Sequence, residues 1–291
     1  MLISLEKIYT YNEILNQSIK LSKLYPGLIS LTHIGKSHDN REIFMIKLGK
    51  GDEGALYISG VHGREAVNPT VLLSIIEYYV NRYYSMGDTI LDNYAMYFIP
   101  LLNPDGYVIA TEGYFFINSV HYKTISKNTG IDSFSYKFNA NAIDINRNFA
   151  SESYVSTKNS GMADNEPETK ALINVCEHYD FMGMTDFHSR GEAIFYHRQV
   201  MDYEYNKKQF HIACGLAKHS GYKLYTTKQE NPDGLSGGNT VNFFSERYHK
   251  PAITIETVPD EAEFPLGHEY CKKVFNEIKN VPVQFLKLLI E

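Results

Sequence analysis

Short apolar runs alternate with stretches of helical spacing along this chain. Between Thr10 and Leu24 the residues Ile14, Ile19, Leu21 and Leu24 recur at helical spacing, and Pro26-Gly27 stops the element. Leu31–Gly35 and Glu42–Leu48 read as two strands of a hairpin joined by the polar turn Ser37–Arg41. The apolar strand Leu56–Val61 leads into a helix over Asn68–Tyr84, with Pro69 in the first turn, where its missing N–H is tolerated. Tyr94–Leu102 is a further buried strand, ended by the turn signal Asn103-Pro104-Asp105-Gly106. Gly113 to Asn141 is polar, aromatic and poorly periodic, which predicts a long loop of the functional kind. Helices are expected over Glu166–Tyr179 and Tyr203–Ser220 and after Ser236-Gly237-Gly238-Asn239. A last one is expected over Gly267–Glu291, with a break at Pro282. Strands Phe181–His188 and Ala252–Glu256 complete the pattern. Strands alternating with helices predict an α/β fold whose mostly parallel sheet is covered on both faces.

Composition narrows the class. A chain of 291 residues with 43% hydrophobic content suits one large domain over residues 1–291. It contains no run of eighteen apolar residues, so no membrane span is expected. The N-terminal segment lacks the basic start, continuous apolar stretch and small-residue cleavage site of a secretory signal, so a cytoplasmic location is expected. Cys176, Cys214 and Cys271 are odd in number and widely spaced, as free thiols are. A net charge of −6 with no lysine-arginine block argues against nucleic acid as a partner.

The chemistry gathers where strands end. His62 and Glu65 stand three residues apart just past Leu56–Val61, close enough to offer two ligands from one turn. Catalytic zinc takes nitrogen and carboxylate ligands at roughly 2.0–2.2 Å and keeps one position for water. His188 ends the run Phe181–His188, and Glu256 ends Ala252–Glu256. In open α/β sheets reactive groups collect at the carboxyl ends of strands, so these residues can converge. Taken singly, a capped turn, a core histidine and a surface glutamate are the plainer readings. The joint pattern favours a metal site. Asn146 and Arg147 follow the long loop, and their side chains suit a carboxylate ligand. An Asp144–Arg147 surface pair is the bland alternative. Asp186, two residues before His188, faces the same side of its strand and is placed to orient that histidine.

Five motifs occur here in a telling order: His62-Gly63-Arg64-Glu65, Asn103-Pro104-Asp105-Gly106, Asp144 to Phe149, His188-Ser189-Arg190-Gly191 and Thr254-Ile255-Glu256. Over nearly the whole chain this order resembles the zinc carboxypeptidases of the carboxypeptidase A type. Within that family, His188 to Glu192 and Lys137 to Asn141 look most like the bacterial γ-D-glutamyl-diamino acid peptidases. Those enzymes cut the bond between D-glutamate and diaminopimelate or lysine in peptidoglycan stem peptides. The resemblance implies a single-domain, mixed and mostly parallel twisted sheet of about eight strands. It implies one zinc ion held by His62, Glu65 and His188, and Glu256 as general base. It further implies that Arg64 or Lys137 stabilises the oxyanion and that Asn146 and Arg147 clamp a substrate carboxylate. Arg190, beside a zinc ligand, is the specificity candidate for a second carboxylate, against a plain salt bridge to Glu192 or Asp186. Two departures stand out: a lysine at 137 where the digestive enzymes carry arginine, and Asn231-Pro232-Asp233-Gly234 where they carry a mobile tyrosine. Other readings are a carboxypeptidase for ordinary α-linked peptides, a non-catalytic zinc domain that binds wall peptides, and a deacylase of amino-acid conjugates.

Overall fold

The computed structural model of the protein describes residues 2–226 and 237–291. The segment Asn231–Gly234 and Ser236 therefore lie outside the described residues. The expected hairpin is present as β1 (Ile29–Lys36) and β2 (Glu42–Leu48), paired antiparallel with a register shift between His33 and Gly35. They form one side of an eight-stranded sheet with β3 (Gly54–Ser59), β4 (Ala95–Ile99), β5 (Met184–Ser189), β6 (Ala193–Phe195), β7 (Lys223–Tyr225) and β8 (Ala252–Thr257). The spatial order is β1-β2-β4-β3-β5-β8-β6-β7. The neighbours β4, β3, β5 and β8 run parallel, while antiparallel partners flank them on both sides. The sheet is thus mixed with a parallel centre.

Strands β3, β4 and β5 are buried at every position, which is why β3 and β4 read as apolar runs rather than as alternating ones, while β5 buries Thr185, Asp186 and His188 as well. Successive side chains still face opposite layers. Tyr57 packs with Phe98, Val71 and Phe285 in one core, while Leu56 and Ile58 pack with Ile99, Leu172 and Phe243 in the other. The first core is roofed by α1 (Tyr11–Leu24), α2 (Val67–Met86), α7 (Tyr203–Ser220), α9 (Cys271–Ile278) and α10 (Val281–Ile290). The second is roofed by α6 (Pro167–His178) and α8 (Thr240–Tyr248).

Local chemistry sets the element ends. Thr10 and Glu13 close a capping box on α1, with Thr10 N–H donating to Glu13 Oε2 at 2.9 Å. Asn103-Pro104-Asp105-Gly106 is not a free turn but the start of α4 (Pro104–Glu112). Asn103 Oδ1 accepts from Gly106 N–H at 2.9 Å, and proline occupies the tolerated first turn. A helix α3 (Ile90–Asn93) precedes β4. The expected loop Gly113–Asn141 carries α5 (Val120–Lys127), capped by Ser119, and two single helical turns. Its aromatic residues pack inward in part: Tyr136 is fully buried and its hydroxyl donates to Asn139 O at 2.7 Å. The C-terminal helix breaks around Asn280, two residues before Pro282, which takes the first turn of α10. Strands β6 and β7, three residues each, are too short to leave a period in the sequence. Among the described residues no helix is long and apolar enough to cross a membrane.

Candidate metal centre

The parallel centre of the sheet delivers the predicted residues to one rim. After β3 the chain turns through Gly60 and Val61 into His62–Glu65, with Glu65 N–H donating back to His62 O at 3.2 Å. Gly63 has no alternative there. A Cβ at this position would lie 2.2 Å from Gly106 O, because the turn packs directly on the backbone of α4. His188 is the last residue but one of β5, and β8 pairs with it so that Glu256 stands directly beside His188 on the neighbouring strand. Register-paired residues project from the same face of a sheet, so imidazole and carboxylate share one side of the rim.

His62, Glu65 and His188 bring their ligand-type atoms within 4.8 Å of one another. Glu65 bridges the two rings, its Oε1 lying 2.7 Å from His62 Nδ1 and its Oε2 3.0 Å from His188 Nδ1. Both histidines thus turn Nδ1 toward one point. Their Nε2 atoms face away toward acids, His62 to Asp144 Oδ1 at 3.2 Å and His188 to Asp186 Oδ2 at 2.9 Å. Carboxylate partners behind imidazoles fix ring orientation and raise ligand basicity, as metal-bound histidines require. Asp144 also accepts from Lys137 Nζ at 2.6 Å, and Asp186 accepts from the Thr240 hydroxyl. One continuous chain of contacts therefore runs Lys137–Asp144–His62–Glu65–His188–Asp186–Thr240. Burial disfavours charge on His62, but Glu65 and Asp144 outweigh it and raise its pKa. Burial likewise opposes ionisation of Glu65, yet the two imidazoles pull its carboxyl down to about 2. Two imidazole nitrogens and a carboxylate, each buried and oriented, are the donor set of a hydrolytic zinc site, so the residues present fit that ion.

The remaining predicted residues fall into two groups. Asn146 joins the centre: its Nδ2 lies 3.4 Å from His188 Nε2, and its Oδ1 accepts from Thr240 N–H at 3.2 Å. Arg147 follows it, with Nη1 donating to Asn146 O at 2.6 Å. The surface pair Asp144–Arg147 does not form, because Asp144 is buried between His62 and Lys137. Arg64 lies over the Phe264 ring, 4.3 Å from its centroid, and its buried Nε has no hydrogen-bond partner among the described residues. Arg190 points outward, with Nη1 3.4 Å from the exposed Asp260 rather than at Glu192 or Asp186, and Glu192 pairs with Lys273. Two partners went unread in the sequence. Thr240 gave no signal. Asp144 did have one, since it stands two residues before Asn146, but its buried role behind His62 needed the fold.

The zinc carboxypeptidase family profile matches residues 14–279. The chain belongs to the zinc carboxypeptidase family. Human carboxypeptidase D is 26% identical over 181 residues, which is 59% of this chain and 12% of that protein. The chain thus spans about an eighth of the length of that relative. Bovine thrombin-activatable fibrinolysis inhibitor has the same fold, with a TM-score of 0.79 at 19% identity over 98% of both chains. The murein-tripeptide amidase MpaA of Escherichia coli O157 aligns at a TM-score of 0.50 and 16% identity, over 89% of this chain and 91% of that one. This zinc carboxypeptidase fold places the Asp144–Phe149 segment, the end of β5 and the start of α8 around one centre.

Proposed function

We propose that this chain, residues 1–291 as one catalytic unit, is a zinc-dependent peptidase. Its proposed substrates are peptidoglycan stem peptides, cut between γ-D-glutamate and the diamino acid. The observation that supports the hydrolytic part is the His62–Glu65–His188 cluster with Glu256 beside it on β8. His62, Glu65 and His188 would hold one zinc ion. When bound, zinc polarises a carbonyl and acidifies a water molecule. Glu256 accepts the proton of the attacking water and returns it to the departing amine. Arg64 or Lys137 would stabilise the oxyanion, an effect of about 3 kcal/mol per donor. Asn146 and Arg147 hold a carboxylate of the substrate next to His188, which fixes the distance from that carboxylate to the cut.

The wall-peptide reading is supported by the stretches His188–Glu192 and Lys137–Asn141 and by a structural neighbour named for murein tripeptide. Trimming of α-linked peptides is the second reading, favoured by relatives such as carboxypeptidase D. Zinc-loaded protein incubated with L-Ala-γ-D-Glu-diaminopimelate and an α-linked control, with products identified by mass, separates them. Release of diaminopimelate from the γ-linked peptide is expected. Cleavage of the α-linked control alone would establish the second reading.

Two substitutions test the assigned contacts. Arg147→Ala should raise KM for substrates with a free carboxylate near the cut by about tenfold or more. Their amides should be little affected, since a charge-assisted clamp recognises the anion. Equal losses for acid and amide would leave Arg147 a structural role. The ion pair of Arg190 with Asp260 is long and largely exposed, so it contributes little to stability and the guanidinium is available to a ligand. Arg190→Ala should lower the ratio of kcat/KM for diaminopimelate over lysine peptides at fixed zinc occupancy. An unchanged ratio would place that selectivity elsewhere.

A further inference from the structure

A second cluster of ligand-type side chains lies where the turn after β1 meets the start of α6. His38, Glu166 and Glu168 bring one imidazole and two carboxylates together, with their ligand-type atoms within 4.8 Å of one another. Glu168 is 0% exposed and Glu166 3%, while the His38 side chain, 17% exposed, opens the cluster toward solvent. His38 Nε2 lies 2.7 Å from Glu166 Oε2. Its Nδ1 is held 2.9 Å from the Tyr122 hydroxyl, an outer partner of the kind that orients metal-bound imidazoles.

Donors are scarce in this cluster. The Asn139 amide donates to Glu166 Oε2 at 2.6 Å and to Glu168 Oε2 at 3.0 Å, so one amide serves both carboxylates. Its orientation is fixed, because Asn139 Oδ1 accepts the N–H groups of Asn141 and Ile143. Asp105, the next carboxylate, is satisfied by Arg41, the Ser37 hydroxyl and Asp39 N–H. His38 contacts Glu166 directly, whereas Glu168 Oε1 is buried with no hydrogen bond among the described residues. An ionised carboxylate in that position is strongly disfavoured.

We propose that His38, Glu166 and Glu168 form a second divalent-cation site, separate from the His62–Glu65–His188 centre. The imidazole nitrogen selects zinc over calcium and magnesium, which prefer all-oxygen shells. An ion here joins the turn after β1 to the start of α6. Through Asn139 it also steadies the segment that runs on to Asp144, Asn146 and Arg147. Its role is structural, and it does not depend on which peptide the other centre cleaves.

The test is a metal count. Chelator-stripped wild-type protein is reloaded with excess zinc, freed of unbound ion by gel filtration and analysed by plasma mass spectrometry. Two zinc ions per chain are expected in wild type and one each in His38→Ala and Glu168→Gln. His188→Ala should also retain one, at the other site. Glu168→Gln keeps the shape and can still accept from the Asn139 amide, so it removes a carboxylate ligand with the least disturbance of packing. Thermal melts should show a rise in Tm between one and two equivalents of zinc in wild type and none in Glu168→Gln. One zinc per chain in the wild type overturns the proposal. Two zinc ions persisting in both His38→Ala and Glu168→Gln overturn it equally.

Discussion

Replacing Glu256 by glutamine should leave the fold and the zinc content of this protein intact and lower turnover by about 100- to 10,000-fold, the usual cost of losing a general base. Glutamine has the same shape and the same place on β8, beside His188 on one side and Ala193 on the other, so the sheet has no reason to shift. What it loses is the ability to take a proton from water and deliver it to a leaving amine. The loss should therefore appear in kcat, with little change in KM. Single-substrate kinetics beside a metal determination on the same sample checks both halves of the expectation. Turnover within a few-fold of wild type would move the base to another residue.

Asp144→Asn should weaken zinc binding by about 10- to 100-fold, the range found when a carboxylate behind a metal-bound histidine is removed. Asp144 is buried and placed between His62 Nε2 and Lys137 Nζ. Burial opposes its ionisation, but the His62 and Lys137 charges prevail and hold its carboxyl far below the ordinary range. A depressed carboxyl contributes stability above its unfolded value of 3.8 and loses it as pH falls toward the native value. Asparagine abolishes that contribution, so the variant should also show a flatter loss of stability in acid. Zinc affinity measured by chelator competition tests the main effect. An affinity equal to wild type would reduce Asp144 to packing. Activity at saturating zinc should recover most of its wild-type value, which separates weakened metal binding from damaged chemistry.

The fold and the centre were legible in the sequence to different depths. The central strands announced themselves because burial on both faces makes a strand uniformly apolar, and a run that ends in histidine or glutamate marks the rim. β6 and β7 left no trace, since three residues cannot display a period. Asn103 to Gly106 looked like a turn because the residues that close a turn also cap a helix. The difference lies in what α4 packs against, which is non-local. The same limit hid Thr240, whose hydroxyl reaches Asp186 only after α8 has docked on the sheet. Arg190 was marked by its adjacency to His188, and the contact of its guanidinium with the exposed Asp260 needed the fold to be seen.

The bridge between His188 and Glu65 spans 123 positions of chain. His62 and Glu65 alone make a weak two-point chelate that an unfolded chain also offers. The proposed third ligand, His188, arrives only when β3 and β5 lie side by side, and closing so long a loop without the sheet is entropically unfavourable. Zinc must therefore bind the native state far more tightly than the unfolded one. Its chemical potential then becomes a term in the folding equilibrium, growing with the logarithm of free zinc once the site is saturated. For a cell this couples the lifetime of the protein to metal supply: under zinc starvation the chain should lose resistance to proteolysis along with its proposed activity, and regain both together.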